Sequence, residues 1–277
     1  IIVGRRSDVE MFRQFVSGSG SKFILNIFGP GGIGKTEICN KFIKHCQSYN
    51  WTYVFIQGDK SNLTFDKVLF SIKESLSKGN SYFAKFEKEL LEFLATKDVI
   101  ERSGGLSNLF DALGNLIPDS ILKTVADMGK AASEEFQHKF RDRYGLQQYM
   151  TGNEQLLVES LTEGVKSFIN QAAQPVIILF DTYEKLTSID EWVCAKLIKH
   201  LPDKVKVVIA GRDRIQEIGF HWKEYSSQII SSEVKELDKD TAFLFYMRHG
   251  LTDGAKLQAT YDFTGGYPLC MNLAADL

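Results

Sequence analysis

Paired cysteines are missing from this sequence. Its four cysteines, Cys39, Cys46, Cys194 and Cys270, are scattered along 277 residues. They are too few for a disulfide framework and lack the close pairs that zinc sites use. The expectation is buried free thiols in a reducing compartment. A dominant charge is missing as well: 33 Lys and Arg against 35 Asp and Glu leave a formal charge of -2. That balance provides no broad basic surface for a polyanion, although it is compatible with a local patch. No apolar run approaches the ~20 residues needed to span a bilayer, and no charged-then-apolar leader opens the sequence. These absences together predict a cytoplasmic protein.

What is present is ordinary globular composition, 44% hydrophobic and 25% charged, in a chain long enough for one large α/β domain or a domain plus a small appendage. The sequence opens on Ile1 rather than Met and stops at Leu277 inside an expected helix, so it reads as a piece of something longer. Helical spacing from Asp8 to Val16, with Ser7 or Asp8 placed to cap it, predicts a short first helix. "KFILNIF", Lys22 to Phe28, has the compact apolar run of a buried parallel strand, followed by a helix from Thr36 to Cys46. A second strand, Thr52 to Gly58, and a helix from Leu63 to Ser77 continue the alternation. The section from Tyr82 to Tyr149 then breaks it and reads as a helical insertion without repeats, whose amphipathic stretches face either their own core or a membrane or partner. Alternation resumes with a helix from Glu154 to Asn170, a strand "PVIILFD" from Pro175 to Asp181, a helix from Asp190 to His200, a strand from Val205 to Arg212 and an extended segment from Ser226 to Ser231. Five strands with helical crossovers predict a three-layer α/β fold around a parallel sheet. Past Leu237 three helices follow, at Lys239 to Gly250, Ala255 to Phe263 and Pro268 onward. The expected division is a nucleotide-binding domain over 1–237, with the insertion at about 80–150, and the start of a small helical domain over 238–277.

"GPGGIGKT", Gly29 to Thr36, satisfies G-x-x-x-x-G-K-[ST] and lies between an apolar strand and a helix, where a phosphate-binding loop must lie. Gly29, Gly31, Gly32 and Gly34, with Pro30 and Ile33 between them, let successive backbone N–H groups turn inward at the positive end of the helix dipole. In this reading Lys35 neutralises the outer phosphates, Thr36 offers its hydroxyl to Mg²⁺, and Glu37 follows in the first helical turn. Asp181 ends a buried strand, from which its carboxylate reaches a Mg²⁺ water; the plainer role is to cap a following helix. Glu184, three residues on, is placed to orient or deprotonate an attacking water. Arg212 ends another buried strand and faces the same crevice, where it can sense a γ-phosphate or form a structural ion pair. Arg214 reads as a surface residue.

These features in this order resemble the STAND class of P-loop ATPases, which includes the NACHT and NB-ARC switch proteins, over nearly the whole chain. "IIVGRR" resembles the hhGRE motif that lies over the adenine in that class and in related AAA+ ATPases. Arg6 stands where the usual acid would, so only Val3, Gly4 and Arg5 carry over. "FDTYE" is similar to the Walker B of many bacterial members, with the acid at Glu184 three residues after the metal-site Asp181. Arg212 matches the sensor arginine. Gly266-Tyr267-Pro268 resembles the GxP motif that packs its proline, Pro268, against the base. The resemblance implies a strand order with the Arg212 strand between the P-loop strand and the Asp181 strand.

What it implies about function is an ATP/ADP switch using Mg²⁺: ADP holds it off, ATP turns it on, self-oligomerisation follows, and slow hydrolysis resets it. Effector and sensor domains are expected outside this chain, and immune or antiphage defence is the expected setting. A DNA-handling ATPase of the origin-recognition or AAA+ kind shares the same loop and sheet, and the balanced charge gives it no visible basic surface.

Overall fold

The computed structural model describes residues 4–18, 22–59, 63–77, 81–101, 143–172 and 174–275, with side chains outside 95–151. The chain forms two compact units, one of Ile1–Leu76 with Gln171–Leu277, the other of Ser77–Asn170.

In the first unit α1 (Arg6–Ser17) leads into β1 (Ile24–Phe28), α2 (Lys35–Ser48), β2 (Thr52–Gln57) and α3 (Phe65–Ser77). In the second, α4 (Ala84–Glu101) and α5 (Arg143–Ala172) are the described helices. The first unit resumes with β3 (Val176–Asp181), a 3₁₀ turn (Tyr183–Lys185), and α6 (Asp190–Trp192), which continues with π-type winding through Val193–Ile198. Then follow β4 (Val205–Gly211), α7 (Ile215–Ile218), a 3₁₀ turn (Phe220–Tyr225) and β5 (Ile229–Glu233). Three helices close the chain: α8 (Lys239–Arg248), α9 (Gly254–Thr264) and α10 (Pro268–Ala275).

The five strands form one all-parallel sheet in the order β2-β3-β4-β1-β5, the three-layer α/β architecture, with β4 between the P-loop strand and β3. Every residue of β3 and β4 is buried, whereas the edge strands β2 and β5 are only partly so. This is why the two central strands read as continuous apolar runs. Side chains alternate across the sheet. Leu25, Ile27, Ile177, Leu179, Val208 and Ala210 join the core under α1 and α2, where Phe12 stacks on Phe42 at 4.2 Å between centroids. Asn26 points the other way, fully buried. Its Nδ2 donates to the Ile209 carbonyl at 3.2 Å, and its Oδ1 accepts the Ile215 N–H at 3.0 Å. One side chain of β1 thereby ties down the start of α7, just past Arg212.

The C-terminal helices enclose a small core of their own around Ala242, Phe245, Tyr246, Leu257 and Met271. Asp238 and Asp253 cap α8 and α9, accepting the Thr241 and Lys256 N–H groups at 2.9 and 2.8 Å.

Several boundaries differ from expectation. α1 begins at Arg6 after a left-handed Arg5 (φ 64) and uses neither Ser7 nor Asp8 as a cap. α5 begins at Arg143, eleven residues before the expected Glu154, because it runs through Gly152, a glycine that costs only about 1 kcal/mol in a helix. The last strand lies at Ile229–Glu233 rather than Ser226 to Ser231. Its register is imposed by β1, where Ile24 pairs with Ile229 and Phe28 with Glu233, while Tyr225 to Gln228 form a turn. Cys39, Cys46 and Cys194 are buried as expected, but Cys270 is exposed on α10. The expected helices between 102 and 142, and Val3, lie outside the described residues. No described helix is long and apolar enough to cross a membrane.

Candidate functional site

The loops that leave the carboxyl ends of β1, β2, β3 and β4 converge on one cleft of about 630 Å³, lined also by α10 and Phe245 of α8. Ligands of open parallel sheets bind in this position, outside the carboxyl edge. Of the residues singled out in the sequence, Arg5, Gly31 to Thr36, Glu37, Asp181, Glu184, Arg212 and Pro268 line it. Gly4, Gly29 and Pro30 stand outside its wall.

The P-loop has the backbone its glycines permit. Gly32 and Gly34 take φ values of 81° and 99°, and α2 starts at Lys35 immediately behind them, so its first N–H groups face the cleft. A Cβ on Gly32 would stand 2.8 Å from the Leu269 Cβ, which means that α10 rests directly on the loop. Lys35 is buried and its Nζ donates to the loop's own carbonyls, Gly29 at 2.6 Å and Pro30 at 2.9 Å. Burial lowers its pKa, and Glu184 and Asp181 oppose that shift.

Asp181 is the last residue of β3 and is buried, so desolvation raises its pKa, while a hydrogen bond from the Thr36 side chain lowers it. The Thr36 hydroxyl and the Asp181 carboxylate are therefore in direct hydrogen-bond contact. The donor set is oxygen only, which suits Mg²⁺. Among the described residues no group of three or more His, Cys, Asp or Glu side chains is placed to hold a metal alone. An ion here needs phosphate oxygens as further ligands, as Mg²⁺ in nucleotide sites commonly does.

Glu184 sits on the 3₁₀ turn that follows β3, reached through Thr182 in the left-handed region (φ 56, ψ 44). A β-branched residue there costs on the order of 1–3 kcal/mol, so the surrounding structure must hold it. Glu184 Oε1 accepts from Arg212 Nε at 3.1 Å. The same guanidinium lies against the P-loop, its Nη2 being 3.7 Å from where a Cβ on Gly31 would be. Arg212 thus lies between Glu184 and the P-loop. Arg214 is exposed, as expected.

Arg5 bridges from the N-terminus, its Nη2 donating to the Ile33 carbonyl at 2.9 Å. Lys41 Nζ donates to the Gly4 carbonyl, fixing the backbone just before it. Pro268 Cγ lies 3.9 Å from where a Cβ on Gly34 would be, and the Tyr267 hydroxyl donates to the Gly31 carbonyl.

Sequence reasoning missed Asp59, Phe245, Leu269 and Asn272, all on the cleft wall, and the Tyr267 contact. For Asp59 a signal existed, because it lies two residues past β2 on the same carboxyl edge. Tyr267 stands inside the quoted Gly-x-Pro segment, but nothing in the sequence says which carbonyl its hydroxyl meets.

No protein-family model and no curated protein matches this sequence. Among solved structures the chain is similar to the crystal structure of Cdc6p from Pyrobaculum aerophilum, at 14% identity and a TM-score of 0.45. The match covers 98% of this chain and 59% of that one, so the chain spans under two thirds of the length of the solved structure it matches.

Proposed function

We propose that this chain is the nucleotide-binding part of a STAND-type signalling ATPase, held off by ADP and turned on by ATP. The observation that carries this reading is the seat of α10 on the P-loop. Leu269 lies over Gly32 and the Tyr267 hydroxyl on the Gly31 carbonyl, so a nucleotide in the cleft touches sheet and C-terminal helices at once. Residues 1–237 then form the nucleotide domain and 238–277 the beginning of a small helical domain.

The P-loop amides and Lys35 grip phosphates that ADP and ATP share, so they supply affinity without discrimination. Lys35 must exchange the carbonyls of Gly29 and Pro30 for phosphate oxygens to do so. Thr36 and Asp181 would hold Mg²⁺, and the ion would supply charge neutralisation at the phosphate oxygens. Discrimination falls to Arg212. Its pair with Glu184 is 62% exposed on the arginine side and 20% on the glutamate side. Pairs so open are worth only ~0.2–1 kcal/mol, so a γ-phosphate can draw the arginine away. Releasing Arg212 also frees Glu184 to accept a proton from an attacking water, which couples sensing to hydrolysis. Arg5 and Pro268 both approach Gly34 on the cleft wall and are assigned the adenosine side. Self-oligomerisation, effector activation and a defence role complete the proposal.

The test is amide hydrogen exchange across residues 268–275 with ADP and with a non-hydrolysable ATP analogue. The switch predicts protection with ADP, loss of protection with the analogue, and neither effect in Lys35→Ala, which binds neither nucleotide. Identical exchange in the two states would overturn it. Salt-sensitive binding of duplex DNA by the same chain would instead support the DNA-handling ATPase.

A further inference from the structure

Behind the turn that carries Glu184 lies a second polar cluster, none of whose members lines the nucleotide cleft. Asp190, at the start of α6 and 6% exposed, receives three hydrogen bonds. Tyr183 Oη donates to its Oδ1 at 2.7 Å, Trp222 Nε1 to the same oxygen at 2.9 Å, and His221 Nε2 to Oδ2 at 2.7 Å. Tyr183 and Trp222 are fully buried, and His221 is the wet end at 28% exposure. A carboxylate is tolerated inside a protein only when its lone pairs are met in this way. A helix start needs far less, since a single acceptor suffices as a cap.

The position of Tyr183 gives the cluster something to hold. Tyr183 immediately precedes Glu184 on the 3₁₀ turn, and the backbone enters that turn through the left-handed Thr182. The turn's own bonds are few: Lys185 N–H to the Thr182 carbonyl at 3.1 Å and Leu186 N–H to the Tyr183 carbonyl at 2.8 Å. The Tyr183 ring is gripped edge-on by Phe180 and Trp222, with centroids 5.9 and 6.2 Å away, and its hydroxyl is pinned to Asp190. With residue 183 fixed at ring and hydroxyl, the point from which the Glu184 side chain leaves toward Arg212 is fixed too.

We propose that Asp190, acting through Tyr183, is a positioning residue for Glu184 in ATP hydrolysis. The proposal rests on the hydrolytic role given to Glu184 above. It differs from a stability role in what it changes: the rate of the chemical step, with nucleotide binding left alone, because neither residue touches the cleft.

The experiment measures single-turnover ATP hydrolysis and ATP affinity for the wild-type chain, Tyr183→Phe, Glu184→Gln and the double variant. Tyr183→Phe keeps the ring and its packing and deletes one hydrogen bond to a charged group, so hydrolysis should slow about tenfold with affinity unchanged to about twofold. Glu184→Gln should slow it about a hundredfold or more. Adding Tyr183→Phe to Glu184→Gln should cost nothing further, since both act through one carboxylate. Asp190→Asn, which keeps the side chain's shape, should repeat the Tyr183→Phe pattern and serves if that variant folds poorly. Wild-type turnover in both brace variants, or losses that multiply in the double variant, would overturn the proposal while leaving Glu184 its role. Wild-type turnover in Glu184→Gln with ATP still bound would remove the role of Glu184 itself, and the brace with it.

Discussion

Arg212→Ala should separate ATP from ADP, and the structure sets the size of the effect. In the described state the guanidinium meets Glu184 at 3.1 Å in a pair 62% and 20% exposed, so breaking it costs ~0.2–1 kcal/mol. A new charge-assisted bond to a γ-phosphate returns ~1.5–3 kcal/mol. The difference, ~0.5–3 kcal/mol, is the whole preference Arg212 can confer, or about 2- to 150-fold in affinity. Arg212→Ala should weaken ATP by that factor and leave ADP unchanged. Glu184→Gln makes the sharper test, because it frees Arg212 without removing it. ATP should then bind tighter by up to about fivefold, ADP should not, and salt should shrink the gain because the lost pair is exposed. Equilibrium titrations with fluorescent ADP and a non-hydrolysable ATP analogue read both. Equal losses for the two nucleotides in Arg212→Ala, or a Glu184→Gln that tightens ADP as much as ATP, would refute the reasoning.

Gly32→Ala places a Cβ 2.8 Å from Leu269 at a φ of 81°. It should lose about 1–2 kcal/mol to backbone strain alone and lift α10 from the loop, seen as faster amide exchange at 268–275 without nucleotide. Asp181→Asn should raise, not lower, the melting temperature of the nucleotide-free protein at neutral pH. Burial lifts the folded-state pKa of Asp181 above its ordinary 3.8, so its charge opposes folding above that folded pKa. The cost fades as pH falls through the folded pKa and is gone below the unfolded one, where wild type and variant should melt together. The same variant should lose Mg²⁺-dependent ATP binding, by calorimetry. Of the four thiols, only Cys270 should react quickly with an alkylating reagent under native conditions, by mass spectrometry. Burial pushes Cys46 and Cys194 up to about 12 and Cys39 higher still, which leaves them as unreactive thiols.

What was legible in the sequence follows from where each signal resides. β3 and β4 announce themselves because a strand buried on both faces has no polar alternation to disguise it. Their ends then carry Asp181 and Arg212 to the P-loop without further information. β5 was misplaced because its extent is decided by pairing with β1, and its own residues, Ile229 to Glu233, are half polar. The left-handed Thr182 was invisible for a related reason. Nothing about a threonine advertises that conformation, and the residue after it, Tyr183, is bonded to Asp190 seven positions further on. The Glu184–Arg212 contact joins residues 28 apart and required the sheet before it could be seen.

Asn26 gives the cleft a mechanical character. By bonding both the Ile209 carbonyl and the Ile215 N–H, it welds the strand feeding the P-loop to the segment that follows Arg212. The two cannot drift apart while the sheet is intact. A rearrangement of the kind proposed for the switch would have to carry these two segments together. The sheet edge is one anvil under both the loop and the arginine.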